Sequence, residues 1–291
     1  MNSLIYPAKE YQRGKKNTLD KHLVYLRIYN GSSKEAEKNI PGEEAVFGDG
    51  VRRIPGDVGI FKWDNTRTTE LINYQDTLIT RTNKILPVRK ELIGLAEKLS
   101  HVAGTFKYST VRKVVESNFV EKNPEFVLGV VEDRSLVAPE GYVKVITNNK
   151  AGSGGKARWY YIRSDKLDRT QPETYKVITS SAFPNEAFKN PDNIEIISKD
   201  EMFGRTKMAI YDTSDESKAK YFVKFLRTKF VSTIVDMTPY KFLYYLPNFD
   251  SIYEDIDWTK SISEIDQQLY KKYDLNQEEI NIIEKKVKAM N

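Results

Sequence analysis

Residues 142–162 have the sequence YVKVI-TNNKAGSGGKA-RWYYI. Its two ends are rich in β-branched and aromatic residues, which favour strands, and the glycines between them favour a turn. We therefore expect two strands joined by a hairpin loop. Similar short runs lie on either side: FVLGVV (126–131), YKVI (175–178), IEII (194–197) and MAIY (208–211). Their spacing of roughly 15 residues and the turn residues between them predict a mixed β region.

One short sequence occurs twice in this β region. Lys-Val-Ile-Thr stands at 144–147 and again at 176–179. A single echo of four residues does not establish a structural repeat.

The residues before the β region change from strand patterns to a helical pattern. Strands are expected at 22–29, where apolar and polar residues nearly alternate, and at 58–63, where VGIFKW indicates a buried strand. From 77 to 99, apolar residues recur every three to four positions, and Pro87 marks a kink or a restart. We therefore expect a helical connector over residues 76–117.

Two helices are predicted after the β region. Ser217 to Val235 places apolar residues on one broad face, and its basic residues are available either for solvent or for phosphate. At the C-terminus, Asn276 and Glu279 form a plausible capping pair for a final helix. Together these patterns predict an α+β fold.

The composition limits the classes of function. The 46 Lys and Arg residues against 41 Asp and Glu residues give a net charge of +5, which permits an acidic partner without requiring one. There are no cysteines and two histidines, so a cysteine-ligated zinc site is excluded and a histidine-rich metal centre is not expected. No apolar run approaches the roughly 20 residues that span a bilayer. We expect a cytoplasmic protein without a membrane partner.

Several segments follow an order that resembles known DNA-modifying enzymes. They are Tyr6-Pro7-Ala8, the strand 23–29, the run 56–64 that ends in Trp63-Asp64, LRTKF (226–230), and the tail from Asp257-Trp258 to Tyr273. This order resembles the C-terminal part of type IIG restriction-modification enzymes and adenine-specific DNA methyltransferases. The resemblance implies the trailing part of a methylase-like core (1–75), the helical connector (76–117), a DNA target recognition domain (118–250) and a helical tail (251–291).

The motifs that would carry catalysis in such enzymes are incomplete. An adenine methylase needs an Asn-Pro-Pro-aromatic type of turn for the flipped base, but residues 123–126 and 190–193 both lack the second proline. Gly48-Asp49-Gly50 lies in a polar loop and is weak evidence for a cofactor site. Pro191-Asp192 precedes Glu195, but isoleucine replaces the lysine of a metal-dependent nuclease site. We expect no catalytic residue and no cofactor in this chain; S-adenosylmethionine and magnesium are expected only in a complete parent enzyme.

The resemblance places DNA reading in the β region. Amide side chains pair with adenine edges, Lys and Arg pair with guanine or phosphate, and glycines let the backbone come close. The candidate DNA-binding residues are Asn148, Asn149, Lys150, Lys156 and Arg158 in the hairpin loop, with Arg163, Lys166 and Arg169 as a second basic cluster. A hairpin with incidental charge and a solvated surface are the open alternatives. Of the aromatic residues 159–161, at least one is expected to face the core.

These features predict the sequence-specific DNA recognition part of a restriction-modification methylase or endonuclease. Its partners would be double-stranded DNA and an upstream methylase or nuclease domain or subunit. One alternative is a methyltransferase subunit that is active only with a partner chain. Another is a non-enzymatic decoy or adaptor that binds restriction proteins. The first two predict salt-sensitive DNA binding, whereas the last predicts protein binding that changes little with salt.

Overall fold

The chain folds into two compact units. A computed structural model describes residues 2–7, 22–29, 58–74, 76–80, 87, 90–102, 104–152, 154–180, 193–237 and 245–286. The first unit comprises Met1–Phe106, Thr233–Pro247 and Leu269–Val287, and the second comprises Lys107–Ser232, Asn248–Gln268 and Lys288–Asn291. Both units are built from more than one stretch of the chain, whereas the four parts expected from the sequence are continuous.

The described residues contain seven helices and three sheets, which confirms the predicted α+β class. The strands are β1 Asn2–Pro7, β2 Leu23–Tyr29, β3 Val58–Trp63, β4 Leu71–Tyr74, β5 Thr77–Thr80, β6 Val127–Val130, β7 Tyr142–Asn148, β8 Ala157–Arg163, β9 Tyr175–Ser180, β10 Glu195–Ile197, β11 Glu201–Phe203 and β12 Lys207–Thr213. The helices are α1 Ile93–Leu99, α2 Phe119–Lys122, α3 Glu216–Leu226, α4 Lys229–Met237, α5 Phe249–Ile252, α6 Ile262–Lys272 and α7 Gln277–Lys286.

The sheet of the first unit has the strand order β1-β3-β2-β4-β5. The strands predicted at 22–29 and 58–63 are present as β2 and β3. The helix predicted from 77 to 99 is present only in its second half, as a 3-10 turn at Lys90–Leu92 followed by α1. Residues Thr77–Thr80 instead form β5, which turns back against β4 at Asp76. Asp76 has a φ of 61°, a left-handed conformation typical of tight hairpins.

The last helix of the first unit begins with the predicted capping pair. The backbone N–H of Asn276 donates to Glu279 Oε2 at 2.8 Å, and the N–H of Glu279 donates to Asn276 Oδ1 at 2.9 Å. Each side chain therefore satisfies a backbone donor that the start of a helix leaves unpaired. Lys98, in the last turn of α1, donates to Glu279 Oε2 at 2.8 Å and to the carbonyl of Asp274 at 2.7 Å. The cap of α7 thus also holds α1.

The second unit contains two sheets that share an apolar layer. Their strand orders are β11-β7-β8-β6 and β10-β9-β12. Ile146 of β7 and Trp159 of β8 cluster with Ile178, Ile197 and Ala209 of the three-stranded sheet. On the opposite face of the larger sheet, the core is formed by Val145, Tyr160 and Ile162 together with Val114 and Val115. Alternate residues of β7 and β8 therefore serve two different cores, as the twofold period of a strand requires.

The helix predicted from 217 to 235 is in fact two helices, α3 and α4. The break falls at Thr228, whose hydroxyl donates to the carbonyl of Phe225 at 2.7 Å and accepts from the N–H of Val231 at 3.2 Å. The buried carboxylate of Asp266 accepts from the N–H groups of Lys229 and Phe230. These bonds satisfy the first N–H groups of α4. The chain can therefore begin α4 as a separate helix instead of continuing α3.

The lysines of α3 have partners within the protein. Lys218 pairs with Asp250 at 2.8 Å, and Lys220 pairs with Glu216 at 2.6 Å. Lys224 Nζ donates to three consecutive backbone carbonyls, which belong to residues 258–260. A structural role therefore accounts for these lysines without invoking phosphate.

Candidate nucleic-acid interface

The β7–β8 hairpin carries five of the eight candidate DNA-binding residues. Its strands pair antiparallel from Tyr142 opposite Arg163 to Asn148 opposite Ala157. The loop is closed by Asn149, whose N–H donates to the carbonyl of Lys156 at 3.1 Å. In return, the N–H of Lys156 donates to Asn149 Oδ1 at 2.8 Å. The Asn149 side chain therefore shapes the loop.

Two glycines allow the loop to fold back on itself. Gly152 has a φ of +82°, a conformation that other residues rarely adopt, and its carbonyl accepts from the N–H of Gly155 at 3.1 Å. A Cβ on Gly155 would lie 2.2 Å from the carbonyl oxygen of Lys150 and 2.7 Å from Asn148 Nδ2. Because this contact involves the backbone, only glycine fits at position 155 without a change of loop conformation.

Positive charge is concentrated on this hairpin. Lys150, Lys156 and Arg158 are all exposed, and no carboxylate among the described residues forms an ion pair with any of them. Glu121 reaches the backbone of the loop, where its Oε2 accepts from the N–H of Ala151 at 3.4 Å. Three exposed cations without an ion pair to a described carboxylate leave a surface suited to a polyanion.

The second basic cluster lies elsewhere. Arg163 ends β8, five residues after Arg158, which corresponds to about 16 Å along a strand. Its guanidinium donates two hydrogen bonds to Asp165, at 3.0 and 2.8 Å, and Lys166 lies 3.5 Å from the same carboxylate. The hydrogen bond from Arg163 lowers the pKa of Asp165, so this carboxylate is ionised and offsets one of the two cations.

Arg169 lies on a third segment, after the turn that follows β8. The N–H of the preceding residue, Asp168, donates to the carbonyl of Val114 at 2.9 Å, and Arg169 is exposed. The structure places Asn148, Asn149, Lys150, Lys156 and Arg158 on the hairpin. It places Arg163 and Lys166 around Asp165 at the other end of β8, and Arg169 on the segment that contacts Val114.

The aromatic residues of β8 are buried or half-buried. Tyr160 is buried, which confirms that at least one of the three faces the core. The ring of Trp159 is half-buried and lies 4.2 Å from the guanidinium carbon of Arg134, a cation–π contact. Stacking of Trp159 on a base would require Arg134 to move.

Sequence patterns did not reveal the charged cluster around Arg134. Its Nε and Nη2 donate to the carboxylate of Glu201 at 2.8 and 2.7 Å, and Nη1 donates to Glu195 at 2.5 Å. Burial raises the pKa of Glu201, but the bonds from Arg134 and from the N–H of Ser198 outweigh burial, so the pKa lies below its usual value. Glu201 is therefore a buried, charged anchor for the loop that contains Arg134.

Two buried lysines border the same cluster. Lys144 Nζ donates to the carbonyls of Arg134 and Leu136 and lies 2.9 Å from Asp200. Lys176 Nζ donates to the carbonyls of Thr174 and Glu201. These are the lysines of the two Lys-Val-Ile-Thr sequences, and all eight residues of those sequences are buried. The repeated Lys-Val-Ile-Thr sequence was therefore the feature from which the charged cluster between the two sheets could have been predicted.

The motifs that a methylase or a nuclease would use for its cofactors lie only partly within the described residues. No group of three or more His, Asp or Glu residues among them is placed to hold a metal ion. After Asn123, Pro124–Phe126 form a 3-10 turn, and the ring of Phe126 lies 5.1 Å from Lys166 Nζ instead of facing a base pocket. The sequences 48–50 and 190–192 lie outside the described residues.

The two histidines have structural contacts. His22 Nδ1 lies 3.0 Å from the carbonyl of Arg67, and its ring packs edge-on against Trp63. His101 Nδ1 lies 2.6 Å from the carbonyl of Lys98. None of the helices in the described part of the chain is long and apolar enough to cross a membrane.

The β7–β8 hairpin is therefore the strongest candidate for a functional surface, because it combines exposed positive charge with a loop shape that depends on glycine. Comparison with other proteins adds no second line of support: no protein-family model matches the chain, and no curated protein sequence matches it.

Proposed function

We propose that this chain is the DNA-recognition part of a restriction-modification adenine methylase or endonuclease, and that the β7–β8 hairpin contacts double-stranded DNA. The observation that carries the proposal is the exposure of Lys150, Lys156 and Arg158, without a carboxylate partner among the described residues, on a loop closed by Asn149. The order of sequence segments that resembles type IIG enzymes supports the enzyme class.

A hairpin of this shape suits duplex DNA. The major groove of B-DNA admits a two-stranded β-ribbon, and Arg or Lys side chains there pair with guanine or with phosphate. Asn148 has the amide chemistry that pairs with adenine, and its Nδ2 lies beside Gly155 where the loop joins β7. Phosphate contacts by the three cations supply the affinity that depends on salt, and contacts to base edges supply the sequence preference.

Catalysis belongs to another domain or subunit in this proposal. The hairpin would position an upstream methylase or nuclease on its target. S-adenosylmethionine and magnesium would bind to that upstream part. The chain itself would bind the DNA and set the position of the enzyme on the target sequence.

The test is selection of bound sequences from a randomised duplex library by the purified chain, repeated over a series of salt concentrations. The expected result is an enriched sequence motif with an affinity that falls steeply as salt rises. The triple variant Lys150→Ala, Lys156→Ala, Arg158→Ala should bind more weakly, and its salt slope should be lower by about 2 to 3, because each lost phosphate contact removes about 0.9.

A matched control separates the hairpin from net charge. Lys199→Ala, Lys220→Ala and Lys260→Ala remove three exposed cations from other parts of the same unit. Equal losses in the two triple variants would mean that binding is a property of overall charge, which would overturn the role of the hairpin. Absence of DNA binding by the unchanged chain, together with salt-insensitive capture of a restriction protein, would favour the decoy or adaptor alternative.

A further inference from the structure

A fourth cation, Arg205, lies at the same end of the sheet as the hairpin. Strand β11 runs parallel to β7, with Phe203 opposite Ile146, and the N–H of Gly204 donates to the carbonyl of Ile146 at 2.9 Å. Arg205 therefore leaves the sheet beside Thr147, on the side away from β8.

Arg158 occupies the matching position on the other side. It is paired with Thr147 across the β7–β8 ladder. The two arginines are thus separated by about two interstrand spacings, or about 10 Å at the backbone. A nucleic-acid backbone that crosses this end of the sheet would pass both residues.

Arg205 shares one exposed carboxylate with another cation. Its Nη1 lies 2.8 Å from Glu116 Oε2, and Lys113 forms an ion pair with the other oxygen of Glu116. The side chains of Arg205 and Glu116 are 61% and 46% exposed. Hydrogen bonds from Lys113 and Arg205 lower the pKa of Glu116, which keeps it ionised at neutral pH. Two positive charges and one negative charge leave this group with a net charge of +1.

We infer that Arg205 contacts a DNA phosphate beside the β7–β8 hairpin, and that Glu116 holds the guanidinium in place until the phosphate displaces it. This inference rests on the proposed function, because it adds a contact to the same DNA surface. An exposed ion pair contributes only about 0 to 1 kcal/mol, so exchanging Glu116 for phosphate costs little. A phosphate accepts the same paired N–H bonds from a guanidinium as a carboxylate does.

The first variant is Arg205→Ala, compared with Lys220→Ala. Both changes remove one exposed cation from an ion pair with a single glutamate, and Lys220 lies on α3. With the duplex sequence selected by the unchanged chain, Arg205→Ala should lower the salt slope by about 0.9. If the variant and the unchanged chain bind equally well near 1 M salt, this difference in slope makes the variant bind about eightfold more weakly at 0.1 M salt. Lys220→Ala should leave the slope unchanged.

The second variant is Glu116→Gln, compared with Glu216→Gln. Removing the charge of Glu116 frees Arg205 and should tighten binding by about two- to fivefold, the range that corresponds to one exposed ion pair. Glu216→Gln releases Lys220 on α3 and should not change the affinity.

The possible failures are distinguishable. If the unchanged chain shows no salt-sensitive DNA binding, the proposed function fails and the role of Arg205 fails with it. If the unchanged chain and the hairpin triple variant behave as expected while Arg205→Ala keeps the full salt slope, only the role of Arg205 is overturned. Circular dichroism of each variant establishes that it is folded before its binding is compared.

Discussion

Gly204 lies against Thr147 so closely that a side chain at position 204 has no room. A Cβ on Gly204 would lie 2.7 Å from the Cβ of Thr147, 2.4 Å from its hydroxyl oxygen and 3.0 Å from a methyl group of Val115. Thr147 and Val115 are completely buried, so neither can swing into solvent. This contact sets the position of β11 beside the hairpin.

Gly204→Ala should therefore destabilise the second unit. We expect a loss of about 1 to 3 kcal/mol in the free energy of unfolding, the usual effect of overpacking a core. The measurement is urea unfolding followed by tryptophan fluorescence. Gly94→Ala, within α1, is the control. Its Cβ would meet only Glu279 Oε1, at 3.9 Å. That change should be neutral or stabilising by up to about 1 kcal/mol. A loss of similar size in both variants would contradict the close contact at Gly204.

Adjacent glycines in the hairpin loop should behave differently. Gly155→Ala brings a methyl group onto the carbonyl of Lys150, so the loop must change its conformation. Gly154→Ala meets only the flexible end of the Lys150 side chain, at 3.3 Å. If the hairpin binds DNA, Gly155→Ala should lower the affinity towards that of the triple variant, while Gly154→Ala binds as the unchanged chain does. Neither charge nor core packing changes, so the free energy of unfolding should shift by less than about 1 kcal/mol.

The sequence predicted those strands whose apolar pattern extends over several residues. The long strands β7, β8 and β9 were expected because β-branched and aromatic residues fill them. Strands β4, β5 and β11 have only three or four residues each and were not expected. Strands β6 and β10 are equally short, but the apolar runs 126–131 and 194–197 that contain them did predict strands. Ile79 also fits a helical spacing, and only pairing with β4 decides that it lies in a strand. Tertiary contacts, not local preference, settle such short elements.

The candidate surface was predicted in part for the same reason. Residue types and glycines identified the hairpin loop, since both are local features. The approach of Arg205 from β11 depends on which strands are neighbours. The position of Glu201 opposite Arg134 likewise joins residues that are 67 positions apart. Such relationships need the sheet order, which the single sequence did not specify.

Glu201→Gln should destabilise the second unit more than Glu195→Gln does. The side chain of Glu201 is 3% exposed and takes two bonds from Arg134, whereas Glu195 is 25% exposed and takes one. Removing the buried charge leaves Arg134 poorly compensated, and we expect a loss of about 3 kcal/mol at position 201 and about 1 kcal/mol at position 195. Chemical unfolding at pH 7 provides the comparison. Equal losses would mean that the bidentate pair has no special role.

The same carboxylate should contribute to acid sensitivity. The folded-state pKa of Glu201 lies below its ordinary value of 4.5. Its contribution to stability is therefore complete above the unfolded pKa and is lost as the pH falls through the folded pKa. The difference in unfolding free energy between the unchanged chain and Glu201→Gln should shrink below about pH 4.5. A difference that stays constant down to pH 3 would argue against this assignment.

Lys176 should make the stability of the second unit rise at alkaline pH. The residue is completely buried, and burial lowers the pKa of its ammonium from 10.5 to about 8, although Asp212, Glu201 and Asp200 act in the opposite direction. The unfolded chain therefore binds a proton between pH 8 and 10.5 that the folded chain has released. Unfolding becomes less favourable as the pH rises through this window, and below pH 8 the cost of the buried charge is constant.

Substitution of Lys176 isolates this effect from other titrations. The unfolding free energy of the unchanged chain minus that of Lys176→Met should increase by about 3 kcal/mol between pH 8 and 10.5, since each pKa unit corresponds to about 1.4 kcal/mol. Lys220→Met provides a control, because the hydrogen bond to Glu216 raises the pKa of the exposed Lys220 above its ordinary value of 10.5. Its contribution to stability is complete below the unfolded-state pKa and is lost as the pH rises through the folded-state pKa, so its difference should show no increase between pH 8 and 10.5. If the difference in unfolding free energy for Lys176→Met does not change across this window, the buried amine keeps its proton. The hydrogen bonds to the carbonyls of Thr174 and Glu201 would then stabilise the ammonium.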